Sequence, residues 1–255
     1  MARSARAATP PRIHVGEALG RSDALRLPVD ASRHLQVLRL QPGDALVLFD
    51  GRGGEWSGRV IAMARDAATV AVDAHRDVER ELPMRVTIAV GMPANDRMDM
   101  LIEKATELGV AAIQPLVCAR SVLRLEGERG RRRVVHWQAV AVAACEQSGR
   151  NRVPDLLDVR AIDEWLGRLP RESSQERWLL APEAAQRPDF ARALGDVVVL
   201  SGPEGGLTGD EEHAAQAAGF RAVSLGARVL RADTAPLAVL AACSLLDAAA
   251  ASPQA

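Results

Sequence analysis

Over the first eighty residues the apolar positions fall in short runs separated by turn formers. ALVLF (45–49) and EWSGRVIAMA (55–64) flank Asp50-Gly51-Arg52-Gly53-Gly54, and Pro42-Gly43-Asp44 precedes them. Short extended runs between glycine- and proline-bearing turns predict a small β-rich domain. One helix is predicted there, Ala31 to Leu40, with Leu35, Leu38 and Leu40 apolar and Arg33, His34 and Arg39 polar. HRDVERELP, His75 to Pro83, is charged, has no clear strand period and ends in proline, so it reads as a linker carrying the domain boundary.

From Met84 the pattern changes. VTIAV, AIQPLV, WLLA, VVVLS and AVSLG are strand-like runs, and they alternate with helical periods at Asn95 to Gly109, near Arg132 to Ser148, and from about Thr234. This alternation predicts an α/β domain with a mostly parallel sheet. In the first of these helices Met98, Leu101, Ile102, Ala105 and Leu108 keep helical spacing; Asn95 or Asp96 is a candidate cap and Gly109 a stop. The last helix carries PLAVLAACSLL and must be covered on most sides, by its own sheet or by a second subunit. The expected organisation is a flexible extension at 1–9, a β-rich domain at 10–80 and an α/β domain at 81–250.

At 255 residues and 48% apolar composition the chain can bury a sizeable core. It has no apolar run of membrane-spanning length and no apolar signal segment behind MARSARAATPP, so a cytoplasmic protein is expected. Cys118, Cys145 and Cys243 lie far apart and read as reduced core thiols, and the five histidines are scattered, so no metal site is indicated. A net charge of −1 announces no nucleic-acid partner by itself. All basic residues but Lys104 are arginine, which composition bias alone explains.

Three segments carry candidate chemistry. VVVLSGPEGGLTGDEE sets three glycines and a proline after a buried-type strand, with Thr208 and Glu211 forming a capping box for the helix that follows. It matches neither the dinucleotide nor the triphosphate glycine fingerprint, which counts against a nicotinamide oxidoreductase. AVSLGARVLRADTAPLAVL repeats the strand-to-loop arrangement. Asp233 and Thr234 read as helix caps, whereas Arg231 faces the positive end of a helix dipole, unfavourable unless something anionic or polar lies near. Two such loops at strand ends point to one crevice. In the third segment Arg129, Arg131, Arg132 and Arg133 crowd a helix start, and Glu146, Gln147, Ser148 and Arg150 cluster at its end. Phosphates would relieve the first group, and the second could bond a base edge, although solvated helix ends look the same.

Taken together, KATELGV (104–110), EQSGR (146–150), SGPEGG (201–206) and LGARVLRADTA (225–235) resemble the RsmE family, which methylates N3 of a uridine in 16S ribosomal RNA. PRIHV, HLQVLRLQPGD and FDGRGGEW resemble that family's PUA-like RNA-binding β-barrel. The resemblance implies a C-terminal SPOUT domain with a trefoil knot, S-adenosylmethionine as cofactor, a homodimer, and 16S ribosomal RNA in the small subunit as partner. It implies cofactor contacts at Leu200, Gly202, Gly205, Leu225, Gly226 and Leu230. Arg231 is implied in catalysis, with Glu204, Asp233 or Glu146 of the partner subunit as proton acceptor, a choice the sequence leaves open. RNA contacts are implied at Arg97, which stands where the family often has lysine, and at Arg131, Arg132, Arg133, Arg150, His34 and Arg39. The family's usual glutamate is Asp233 in this chain. An RNA-binding protein without transferase activity is the alternative, and the retained cofactor loops argue against it.

Overall fold

The computed structural model describes residues 9–170, 174–190 and 195–250, so nearly all of the expected extension lies outside the described residues. The chain divides into two compact units. One comprises the residues up to Arg80 with Cys145–Val153, the other Glu81–Ala144 and the chain from Pro154 onward.

The first unit contains β1 (Arg12–His14), β2 (Ser22–Arg26), α1 (Val29–Val37), β3 (Ala45–Phe49), β4 (Glu55–Met63) and β5 (Ala68–Arg76). The sheet order is β1-β3-β4-β5-β2; β1 pairs with β3 in parallel and the remaining pairs are antiparallel. Ile13, Leu35, Leu46, Leu48, Val60 and Val70 meet in one buried core against which α1 packs. The helix expected at Ala31 to Leu40 starts two residues earlier and ends three earlier. Arg39 takes a left-handed φ of 58°, and the Leu40 N–H reaches back to the Leu35 carbonyl at 3.1 Å. A helix C-terminus commonly closes this way, with glycine the usual occupant of the left-handed position.

The charged stretch expected to be a linker is largely part of this unit. His75 and Arg76 end β5, the Val78 carbonyl accepts from the Asn151 amide, and Glu79 pairs with Arg152 at 2.8 Å. Its charges converge on Glu55, whose side chain is only 2% exposed. That carboxylate is held by Arg12 at 2.7 Å, Arg76 at 2.6 Å and Arg80 at 3.1 Å. The absence of a period in HRDVERELP reflects pairing through side chains, which hydrophobic spacing does not record.

The second unit contains β6 (Arg85–Gly91), α2 (Asn95–Glu107), β7 (Ala112–Val117), α3 (Gly127–Ser148), β8 (Asp155–Leu156), β9 (Arg160–Ala161), α4 (Ile162–Arg168), β10 (Glu176–Leu180), β11 (Asp196–Ser201), α5 (Gly209–Ala217), β12 (Arg221–Val223) and α6 (Thr234–Ala250); the last residues of α3, from Cys145, group with the first unit. Every recorded pairing in its sheet is parallel, in the order β12-β10-β11-β6-β7-β8, with β9 also on β7. Strands covered on both faces must be apolar throughout, which explains the continuous runs VTIAV and VVVL. Ile162, Trp165, Leu166, Ala215 and Phe220 of α4, α5 and the turn after α5 cover one cluster with Leu179, Val198 and Leu200. Helix α6 packs against α2 and β11. Gly109, at φ 91°, ends α2, and Thr208 with Glu211 forms the full capping box of α5. The three cysteines are buried and none is in a disulfide, and burial pushes the Cys118 thiol up to about 12 and the Cys243 thiol up to about 11. Among the described residues no helix is long and apolar enough to cross a membrane.

The Glu55 hub has a consequence for acid stability. Burial raises its carboxyl pKa, but hydrogen bonds and charges from Arg12 and Arg80 outweigh this and hold it below the usual 4.5. A carboxylate with a depressed folded-state pKa contributes stability above its unfolded value, and that contribution is lost as pH falls through the folded value. Glu55→Gln is therefore expected to cost about 2–3 kcal/mol at pH 7, at or below the range for a fully buried pair because Arg76 and Arg80 are half exposed. Below pH 4.5 the deficit should narrow as the parent protonates. Urea unfolding of both proteins at pH 7 and in steps below pH 4.5 measures this; a deficit independent of pH would show that the charge on Glu55 contributes nothing.

Candidate functional site

The C-terminal ends of β10, β11 and β12 share one edge of the parallel sheet, and the loops leaving them enclose a cavity of about 400 Å³. Open α/β sheets bind ligands at this edge. Leu179 to Pro182 contribute from the β10 side, Ser201 to Glu204 with Gly206 and Leu207 from the β11 side, and Val223 to Gly226 with Arg228 to Ala232 from the β12 side. The lining is mostly apolar side chain and bare backbone.

Backbone polar groups hold the loops together. The Ser224 N–H donates to the Gln186 carbonyl at 2.8 Å, and Ser224 Oγ lies 3.1 Å from the carbonyl oxygens of both Pro182 and Gly226. The β11 loop turns through Pro203–Gly206, with the Gly206 N–H donating to the Pro203 carbonyl at 2.8 Å. Arg120 Nη1 then binds the carbonyls of Gly205 at 3.0 Å and Leu207 at 3.1 Å. Space restricts two glycines, strictly at Gly91 and less so at Gly202. A Cβ on Gly91 would lie 2.5 Å from the Pro203 ring, and one on Gly202 would lie 3.0 Å from the Leu207 nitrogen. Gly226 is required by conformation, at φ 126°.

Gly202, Leu225, Gly226 and Leu230, expected to contact a cofactor, all line the cavity. Leu200 does not: its side chain points into the core beneath α4 and α5 and is fully buried. Gly205 is also absent from the lining, its carbonyl held by Arg120. Leu225 and Gly226 were expected to end a strand, but β12 stops at Val223 and both lie in the loop, where Ser224 breaks the pairing.

Arg231 and Glu204 line the cavity. Arg231 is exposed; its carbonyl accepts the first amides of α6, from Thr234 and Ala235, each at 3.0 Å. Glu204 Oε1 accepts the Ala94 N–H at 3.2 Å and lies 4.0 Å from Arg97 Nη1. Glu204 thus serves the start of α2, whose N-cap is Ala94 rather than Asn95 or Asp96 and has no side-chain bond of its own. Asp233 is buried off the lining, and its carboxylate accepts the Thr234 hydroxyl at 3.4 Å rather than a helix amide. Glu146 belongs to the first unit, where it accepts the His14 N–H at 2.9 Å and lies 3.1 Å from His34 Nδ1.

The remaining expected RNA contacts are dispersed. Arg97 is at the cavity. Helix α3 begins five residues before the expected Arg132, so Glu128 occupies its first turn and pairs with Arg131 at 2.9 Å and Arg132 at 3.1 Å. Arg133 stacks over Trp137 at 6.0 Å. The dipole conflict read from the sequence is thereby relieved within the helix. Arg150 is 3% exposed in the first unit, buried away from any strand as the fold stands, while Arg39 is exposed beside His34 on the same helix end.

Nothing in the hydrophobic pattern marked four further residues around the cavity. Arg228 and Glu212 line it, and Arg187 and Arg120 attach to its loops. The buried Glu211, read only as half of a capping box, also accepts the Ala119 N–H at 2.7 Å and so ties the loop after β7 to α5.

The chain matches two family models, an RNA methyltransferase PUA domain over residues 27–73 and an RNA methyltransferase domain over residues 80–244. It is 31% identical over 220 residues to the ribosomal RNA small subunit methyltransferase E of Bacillus subtilis, covering 82% of this chain and 85% of that protein. Its structure is similar to that of the Neisseria gonorrhoeae ribosomal RNA small subunit methyltransferase E bound to S-adenosyl methionine, with TM-score 0.86, 36% identity, and 93% and 98% of the two chains covered. A putative methyltransferase of Legionella pneumophila, also with bound cofactor SAM, matches with TM-score 0.83 at 30% identity over 94% of this chain and 98% of that one. With both domains matched and the likeness extending over most of its length, the chain belongs to the ribosomal RNA small subunit methyltransferase E family.

Proposed function

We propose that this protein transfers a methyl group from S-adenosylmethionine to N3 of one uridine in 16S ribosomal RNA, acting as a homodimer on the small ribosomal subunit. The observation carrying the reading is the cavity at the sheet edge, whose walls are apolar side chains and glycine backbone, with arginine at the mouth. The residues fit the cofactor. It carries a sulfonium and an adenosine but no phosphate, so bare backbone at Gly202 and Gly226 suits it better than an anion nest would. Leu179, Leu225 and Leu230 offer apolar surface to an adenine ring, and the carbonyls of the β10 and β12 loops are acceptors for its polar edge. When bound, S-adenosylmethionine supplies an electrophilic methyl group.

The chain's own residues prepare the nucleophile. A uridine N3 holds its proton at neutral pH, so that proton must be removed and the negative charge left on the base stabilised. Arg231 lies at the cavity, and its guanidinium stabilises that charge; being always protonated, it cannot be the base. Glu204 lines the same cavity, whereas Asp233 of the same chain is buried off it, so Glu204 is the acceptor we favour for the proton. Arg97, Arg133 and Arg39 are exposed or half-exposed cations available to an RNA strand. Exposed apolar side chains on the helices of the C-terminal unit are surface for the second copy: Leu245 of α6 is 73% exposed, Val135 of α3 72% and Met100 of α2 45%.

Three measurements test this reading. Calorimetric titration should show S-adenosylmethionine binding to the purified protein, weakened at least about tenfold by Gly226→Val, because a β-branched residue is strained at that φ and narrows the cavity. Undiminished binding by a folded variant would exclude this pocket. Single-turnover methylation of small subunits lacking the modification, mapped by mass spectrometry, should place the new methyl on a uridine N3. Arg231→Ala should slow it by on the order of 10²-fold with cofactor affinity little changed; normal turnover, or a defect wholly in cofactor binding, would remove Arg231 from the chemistry. Sedimentation at micromolar concentration should give two protomers, and a monomer would refute the dimer.

A further inference from the structure

Most described arginines of the C-terminal unit have a carbonyl or carboxylate partner. Arg120 and Arg177 cap carbonyls, Arg97 faces Glu204, Arg160 and Arg168 share Glu164, and Arg221 meets Glu176. Among the described residues, the guanidiniums of Arg187 and Arg228 have no hydrogen bond and no ion pair, and both residues are exposed. Both stand on the loops that close the cavity. Arg228 lines it directly. Arg187 follows Gln186, whose carbonyl takes the Ser224 N–H, and its Nη1 lies 3.6 Å from where a Cβ of Gly226 would be. Beside them Val229 is 78% exposed, and Arg231, the third unpaired guanidinium at the cavity, is the one already given a part in the chemistry.

Two exposed guanidiniums on the loops that close one cavity, neither with an ion-pair partner, favour an anionic group beside them. An RNA strand that delivers one base into the cavity must keep its own backbone at the rim, where its phosphates supply that charge. We propose that Arg187 and Arg228 form a clamp on the phosphates flanking the target nucleotide, fixing the strand so that the extruded base enters the cavity. They are positioning residues. Glu183 and Asp189 on the β10 loop and Glu204 and Glu212 at the cavity set the opposing charge: Glu204 is engaged by Ala94 and Arg97, and Asp189 also has a partner. The inference rests on the proposed RNA methylation.

The test compares Arg187→Ala, Arg228→Ala and the corresponding lysine variants with the parent. Binding to unmethylated small subunits is measured from 50 to 200 mM salt. Each alanine should lower the slope of log affinity against log salt by about one, so that the variant's affinity falls roughly fourfold less than the parent's across that range. Each lysine variant should restore the slope, because a phosphate accepts a point charge. Titration with S-adenosylmethionine should give the parent's affinity for both Arg187 variants, whose residue does not line the cavity. At saturating subunit the alanine variants should also turn over more slowly, because the strand is bound but misplaced. Parent slopes in both alanine variants would overturn the clamp. So would loss of cofactor affinity at parent slope, which would assign the two arginines to the cofactor's carboxylate. If the parent itself bound no S-adenosylmethionine, the proposed activity would fall while the salt series still reported on the clamp.

Discussion

Backbone packed against backbone at the C-terminal edge of the parallel sheet is the constraint on which the candidate site depends. Pro203 sits over the end of β6 at a distance that excludes any side chain from Gly91, and the β11 loop folds on itself so closely at Gly202 that a Cβ would press on the Leu207 amide. Interiors of this density transmit small displacements, so a methyl group at either glycine would move a cavity wall. The glycines of SGPEGG are thus needed first for loop-to-strand and loop-to-loop packing. A surface for a ligand follows from that packing.

Once the loops meet this closely, their polar backbone groups must satisfy one another, since few other partners reach them. Ser224 does much of this, joining the β10 and β12 loops through its amide and its hydroxyl. Arg120 and Glu211 do it from outside the cavity, the first binding two carbonyls of the β11 loop and the second an amide of the loop after β7. Glu204 extends the same logic to α2, whose first turn receives its carboxylate in place of a local cap. A charged group performing a structural bond on one oxygen retains the other for a substrate, which is how one residue can both hold a loop and serve chemistry.

The sequence made legible whatever depends on local periodicity. The apolar spacing of α2, its stop at Gly109, the Thr208–Glu211 box and the strand runs of the parallel sheet all follow from rules that act over a few residues, and the structure has them. Bonds formed between distant segments were hidden. The pairing of Arg76 and Arg80 with Glu55 made a strand end and a packed segment resemble a linker. Glu128, one turn before the arginine cluster, supplied a compensation that only a correct helix start would have revealed. Glu146 and Arg150 look like exposed recognition residues in a row of letters, yet one bonds His14 and His34 and the other is buried. Leu200 shows the same limit within a strand, where alternation turns a residue next to the cavity into the core.

Charge distribution supplies what net charge does not. A chain of net charge −1 appears indifferent to polyanions, but Coulomb interactions are felt over about one Debye length, roughly 8–10 Å at physiological salt. Over that distance only local pairing matters. Glutamates one turn away neutralise Arg131, Arg132, Arg160 and Arg168, whereas Arg187, Arg228 and Arg231 on the cavity loops form no ion pair among the described residues. The abundance of arginine can follow from composition bias alone; which arginines remain unneutralised is fixed by the fold. That difference is what a strand approaching the sheet edge would encounter, because paired guanidiniums contribute little field beyond their own carboxylate.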